Sequence, residues 1–150
     1  MGACVVLGWR EWLSLPDLGL AAVRAKVDTG ARSSALHVDW LEPFELDGMP
    51  WVRFALHPVD ARLPGESSQA PVLDRRPVTD SGGHVTERVF IATRIALAGQ
   101  SFVAEINLTS RRNMLFPMLL GRTALAGRFI VDPERSFVLG EHPPSQAGIS

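Results

Sequence analysis

An acid, a hydroxyl and a glycine in succession, Asp28-Thr29-Gly30, follow a run in which Val23, Ala25 and Val27 alternate with Arg24 and Lys26. Alternation over Ala22 to Val27 predicts a half-buried strand, so Asp28 stands where that strand must turn. Thr29 can fix such a turn through its hydroxyl. Gly30 admits close backbone approach and offers an N–H to the acid. Where two such turns meet across a two-fold axis, the two carboxylates are too close for both to ionise. One then keeps a proton and polarises the carbonyl to be cleaved, while the other acts as base on a water held between them. One Asp-Thr-Gly in 150 residues makes this a two-copy chemistry, so a homodimer is expected. By itself the tripeptide also reads as an ordinary Asx-turn.

Two further features bear on that choice. Met118-Leu119-Leu120 is a short, wholly apolar run ending in Gly121-Arg122, and Thr123-Ala124-Leu125 follows as one turn of helix or two. By itself the run is simply core. Between the two motifs, Asp80-Ser81-Gly82-Gly83-His84 joins two strand-like runs. It is either a plain hairpin turn or a small-residue lid over a site.

The combination resembles retropepsin-like aspartic peptidases: an Asp-Thr-Gly-Ala turn, a glycine-bearing hairpin, then apolar-apolar-Gly-Arg. A narrower resemblance covers roughly residues 5 to 140, to a bacterial family named for ATP-dependent zinc proteases. It rests on Gly8-Trp9-Arg10-Glu11-Trp12, Lys26 through His37, Asp74-Arg75-Arg76, Thr79 through His84 and Leu120 through Leu125. The resemblance implies a closed all-β barrel with one short helix near its C-terminal end, occupying 1–140; the residues after it, 141–150, are rich in Pro, Ser and Gly and read as a disordered tail. It implies catalytic Asp28, oriented by Thr29 and Gly30. Substrate-binding residues would be Ala31, Arg32, Ser81, Gly82, Gly83, His84 and Arg122, acting on a peptide or protein. Family members are associated with ATP-grasp ligases that add amino acids to protein or peptide termini, which implies such a ligase as functional partner.

The family's name is not matched by its residues. No Gly-x-x-x-x-Gly-Lys-Ser/Thr loop for ATP and no His-Glu-x-x-His occurs, and His37, His57, His84, His142 and Cys4 are dispersed. No cofactor and no metal are therefore expected, with a zinc site from His37, His84 and a carboxylate as the third reading. One departure from the retropepsin pattern is Arg32, where an acid usually pairs with the arginine of Gly-Arg. Arg122 then needs another partner, and Asp132, Glu11, Asp74 and Asp80 are the candidates. Arg32 also suits a carboxylate-rich ligand. A non-catalytic binding or sensing module on the same fold is the alternative function.

The elements that must position these residues are short. Thirteen Gly and 11 Pro divide the chain, which favours many strands over βαβ units. Val5 to Leu7, Trp12 to Leu15, Ser33 to Val38, Val72 to Thr79, Val85 to Leu97, Phe102 to Leu108, Phe129 to Val131 and Phe137 to Leu139 read as strands. Pro16 to Gly19, Asp47-Gly48 and Ala98-Gly99-Gln100 read as turns, and Asp60 to Gln69 as an exposed loop. Trp9, Trp12, Trp40 and Trp51 are expected in the core or on a dimer surface. A net charge of −1 and scattered arginines argue against nucleic acid. A lone cysteine and the absence of a long apolar segment argue for a cytoplasmic protein with no membrane association.

Overall fold

Period-two alternation carries most of this chain into strands, and the breakers between them set their ends. The computed structural model describes residues 4–56, 67–80, 82–110 and 116–140. In order they form β1 (Val5–Leu7), β2 (Arg10–Leu15), β3 (Leu20–Val27), β4 (Ser34–Val38), β5 (Trp40–Leu46), β6 (Met49–Ala55), β7 (Ser67–Pro71), β8 (Asp74–Thr79), β9 (Val85–Leu97), β10 (Gln100–Ser110), β11 (Met118–Leu120), α1 (Arg122–Leu125) and β12 (Phe129–Val131).

Six of these strands, in the order β10-β4-β11-β3-β2-β9, close into a barrel through the β9–β10 pairing, and β8 continues the sheet beyond β9. The fold is thus all-β, a retropepsin-like closed barrel with one short helix. Inward side chains of the barrel, among them Leu13, Val23, Leu36, Ile91, Ile106 and Leu120, are fully or nearly fully buried and form one core. β11 runs between β3 and β4, parallel to the first and antiparallel to the second. That central place explains its unbroken apolar sequence.

Local turn chemistry is where expected. Asp47 and Gly48 both take positive φ between β5 and β6, and Ala98 and Gly99 do the same between β9 and β10. Two expectations need correction. Phe137 to Leu139 is not a strand: Phe137 has φ 51° and its N–H donates to Arg10 O, while Val138 and Leu139 donate to the Glu11 carboxylate. Ser67 to Gln69 belongs to β7, a polar strand paired with β6, and residues 57–66 lie outside the described part. Among the described residues no βαβ unit occurs, and the parallel pairs β1–β12, β4–β10 and β3–β11 are joined by long excursions of chain. Among the described residues no helix is long and apolar enough to cross a membrane. The tail expected at 141–150 lies outside the described residues.

Candidate functional site

β3 delivers Asp28 to the end of the barrel beside the end of β11. The Asp28 N–H donates to Leu120 O at 2.9 Å, and the Val27 N–H just before it donates to Trp9 O at 2.7 Å. The turn then closes on itself: the Gly30 N–H donates to Asp28 Oδ1 at 2.9 Å and the Ala31 N–H to Asp28 O at 3.3 Å. Asp28 is half-buried, Thr29 and Gly30 are exposed, and so the carboxylate is held yet reachable.

The far side of this turn is gripped by residues some ninety positions later. Arg122 N–H donates to Ala31 O (2.8 Å), and Thr123 gives both its N–H (3.2 Å) and its hydroxyl (2.9 Å) to Arg32 O. The Arg122 guanidinium donates to Gly30 O at 3.3 Å. Gly121 must be glycine here: a Cβ would lie 2.5 Å from the Ser33 carbonyl, and its N–H donates to Ser34 Oγ. The consecutive carbonyls of Gly30, Ala31 and Arg32 are thus all taken up by the start of α1. These contacts bring Asp28, Gly30, Ala31, Arg32 and Arg122 together.

The expected acidic partner of Arg122 is a backbone carbonyl instead. The four candidate acids are engaged elsewhere. Asp74 pairs with Arg76, Asp80 and Asp132 accept from backbone N–H groups of their own turns, and Glu11 is buried and accepts from Gly8, Val138 and Leu139. Arg32 is exposed, its backbone carbonyl is held by Thr123, and the Arg122 guanidinium reaches the Asp28 turn at Gly30 O.

The hairpin turn 80–84 is organised by its own acid. Asp80 Oδ1 accepts from the N–H groups of Gly82 and His84, each at 2.9 Å, and His84 Nδ1 stands 3.5 Å away. The His84 N–H, above all, holds the Asp80 carboxyl below its ordinary range. Gly83 takes φ 84°, as a lid hinge or a tight turn requires. Gly82, Gly83 and His84 are exposed, Ser81 lies outside the described residues, and the hydrogen bonds of Gly82, Gly83 and His84 run within the turn. A cleft of about 370 Å³ opens along the hairpin, bordered by Leu41, Arg75, Asp80, Arg88 and Leu108.

His37 is buried on β4 and His84 exposed at the hairpin tip, and among the described residues no three His, Cys, Asp or Glu side chains cluster as metal ligands. None of the tryptophans enters the core. Trp9 and Trp12 lie half-buried on the barrel's outside with Arg10 and Phe137, Trp51 packs on Phe44, and Trp40 is exposed. Sequence reasoning did not assign Ser34, Asn107 or the buried Glu11 their structural roles. Glu11 carried a signal, since it shares the inward parity of Leu13 and Leu15.

Comparisons with known proteins follow this geometry. A family model described as "RimB-like: Retropepsin-like aspartic endopeptidase RimB" matches residues 6–142. The chain is 41% identical over 137 residues to a "Probable alpha-L-glutamate ligase" of Shewanella halifaxensis, covering 91% of this chain and 30% of that protein. A like-named protein of Parasynechococcus marenigrum is 41% identical over 138 residues, with the same coverage. The chain therefore spans about a third of the length of these curated relatives. A crystal structure of Legionella pneumophila protein Lpg0085, of unknown function (DUF785), superposes with a TM-score of 0.75 at 28% identity, covering 91% of this chain and 98% of that one. None of these descriptions mentions zinc. The chain belongs to the RimB-like family of retropepsin-like aspartic endopeptidases.

Proposed function

We propose that this protein is an aspartic-type peptidase that acts as a homodimer on acidic, glutamate-rich chains. The observation that carries the reading is the Asp28 turn: a reachable carboxylate in a turn held on both sides. Asp28 of each subunit would supply half of a dyad, one carboxyl protonated and the other acting as base on the attacking water. The exposed Val6 and Ile130, on the β1–β12 pair, offer an apolar strip for the second copy. The Arg122 guanidinium on the Asp28 turn and the exposed Arg32 four residues past Asp28 favour an acidic substrate. The relatives' name, alpha-L-glutamate ligase, points to a chain of α-linked glutamates made by a functionally linked ATP-grasp enzyme.

The test is cleavage of a peptide ending in α-linked glutamates against the same peptide ending in glutamines, with sedimentation at the assay concentration. Shortened glutamyl product from a dimer is expected. A strict monomer that binds the glutamyl peptide without cutting it would turn the assignment to the second reading, a binding module. Arg32, standing where the family pattern has an acid, favours that module.

A further inference from the structure

Along β10, Phe102, Ala104, Ile106 and Leu108 point into the barrel, while Val103 and Glu105 point out and are exposed. Asn107 has the outward parity, yet it is only 2% exposed. Burying a primary amide is costly unless both ends find partners. Here they find them on two different elements. Asn107 Nδ2 donates to Ser34 O at 2.9 Å, and Asn107 Oδ1 accepts from the Arg88 guanidinium at 3.1 Å. The donor end must face the carbonyl and the acceptor end the arginine, so the amide has one workable orientation.

Those two partners matter by position. Ser34 is the first residue of β4, where the chain leaves the Asp28 turn, and its Oγ accepts the Gly121 N–H. Gly121 adjoins Leu120, whose carbonyl accepts the Asp28 N–H. Arg88 lies four residues past His84, on the shoulder of the β8–β9 hairpin, and Asn107 is paired across β9 with Phe90. A continuous run of hydrogen bonds thus leads from hairpin to turn: Arg88, Asn107, Ser34, Gly121. This run reaches the Asp28 turn through Ser34 and Gly121.

We infer that Asn107 is a positioning residue that couples the β8–β9 hairpin to the Asp28 turn through Arg88 on one side and Ser34 on the other. This rests on the peptidase reading above and adds to it a regulating link: the turn reaches its working geometry when the hairpin shoulder holds the Asn107 amide. Aspartate at this position keeps the arginine and loses the donor to Ser34 O. Lysine at 88 keeps a donor to the amide, and alanine removes it.

The experiment compares wild type with Arg88→Ala, Arg88→Lys, Asn107→Asp, Asn107→Ala and the Arg88→Ala/Asn107→Ala pair. Amide hydrogen exchange is read at Asp28, Gly121, Arg122 and Thr123, and steady-state cleavage on the glutamyl peptide. Arg88→Ala should speed exchange at Gly121 several-fold although Arg88 does not touch it, and Arg88→Lys should restore most of the protection. Arg88→Ala and Asn107→Asp should each lower kcat about tenfold, the order of one hydrogen bond, with KM within about twofold. The pair should be no slower than Asn107→Ala alone. Unchanged exchange at Gly121 in a folded Arg88→Ala protein, or a rise in KM with kcat intact, would overturn the inference. If Asn107→Ala does not fold, the Arg88 series decides alone. If wild type cleaves nothing, the peptidase reading falls while the exchange arm still decides the coupling.

Discussion

Two turns in this chain share one tripeptide pattern. Asp28-Thr29-Gly30 and Asp80-Ser81-Gly82 each place an acid, a hydroxyl and a glycine in a row, and in each the glycine N–H donates to the acid's Oδ1 at 2.9 Å. Their surroundings differ. The carbonyls after Asp28 accept from Arg122 and Thr123, and the Asp28 N–H reaches across to Leu120. Asp80 accepts from Gly82 and His84 of its own turn, at the exposed tip of a hairpin. An Asx-turn is local chemistry that any exposed loop can form. A carboxylate held in a fixed place needs a second segment to brace it, and Leu120, Arg122 and Thr123 give the Asp28 turn that brace.

The sharpest way to break this comparison is to remove each acid in turn. Asp28→Asn should lower cleavage of the glutamyl peptide by at least about a thousandfold, because an amide cannot take the water's proton. Circular dichroism should show the fold intact, since Asn still accepts from the Gly30 N–H. Asp80→Asn keeps an acceptor for its two N–H groups and should change the rate by less than about threefold. Equal losses from the two variants would mean that the brace does not separate a catalytic acid from a structural one.

The next test compares glycines. An alanine Cβ at Gly121 would meet the Ser33 carbonyl at 2.5 Å, backbone against backbone, with no flexible group to yield. Gly121→Ala should cost about 2–3 kcal/mol in denaturant unfolding, in the range of overpacked sites. At Gly83 a Cβ has nothing within 4 Å, and only φ +84° opposes it. Gly83→Ala should cost about 1 kcal/mol, the left-handed penalty alone. If the two costs were alike, the Asp28 turn would not be the more tightly packed of the two.

What could be read from the sequence follows the same division between local and distant causes. The Asp28 turn, β11 and the Asp47-Gly48 hairpin are written in adjacent residues, through alternation, an apolar run and a pair suited to positive φ. Bonds that join distant segments to a backbone carbonyl leave no compositional mark. Arg122 seemed to need an acid and found Gly30 O. Phe137 to Leu139 has strand composition, yet the Glu11 carboxylate draws its N–H groups out of any ladder. Asn107 sits at outward parity, and nothing in its neighbours reveals that Arg88 and Ser34 O enclose it. The resemblance to a peptidase family bridged that gap for the fold. It offered less for Arg32, where this chain departs from the pattern.

The smallest expected effect concerns acid. Hydrogen bonds from His84 and Gly82 hold the Asp80 carboxyl below its ordinary value of 3.8. A carboxyl depressed in the folded state adds stability above the unfolded value, and that stability is lost as pH falls through the folded value. Asp80 therefore supports its turn fully at neutral pH, and its support fades only below about 3.8. Wild type should melt slightly higher than Asp80→Asn at neutral pH, and the gap should close in strong acid. The comparison between turns gives this its use. Acid that loosens the hairpin tip should raise exchange at His84 while Gly121 and Thr123 stay protected, because their acceptors are a hydroxyl and a carbonyl that do not titrate. Loss of protection at both turns over the same pH interval would show instead that the brace depends on a titrating group, and would undo the distinction between them.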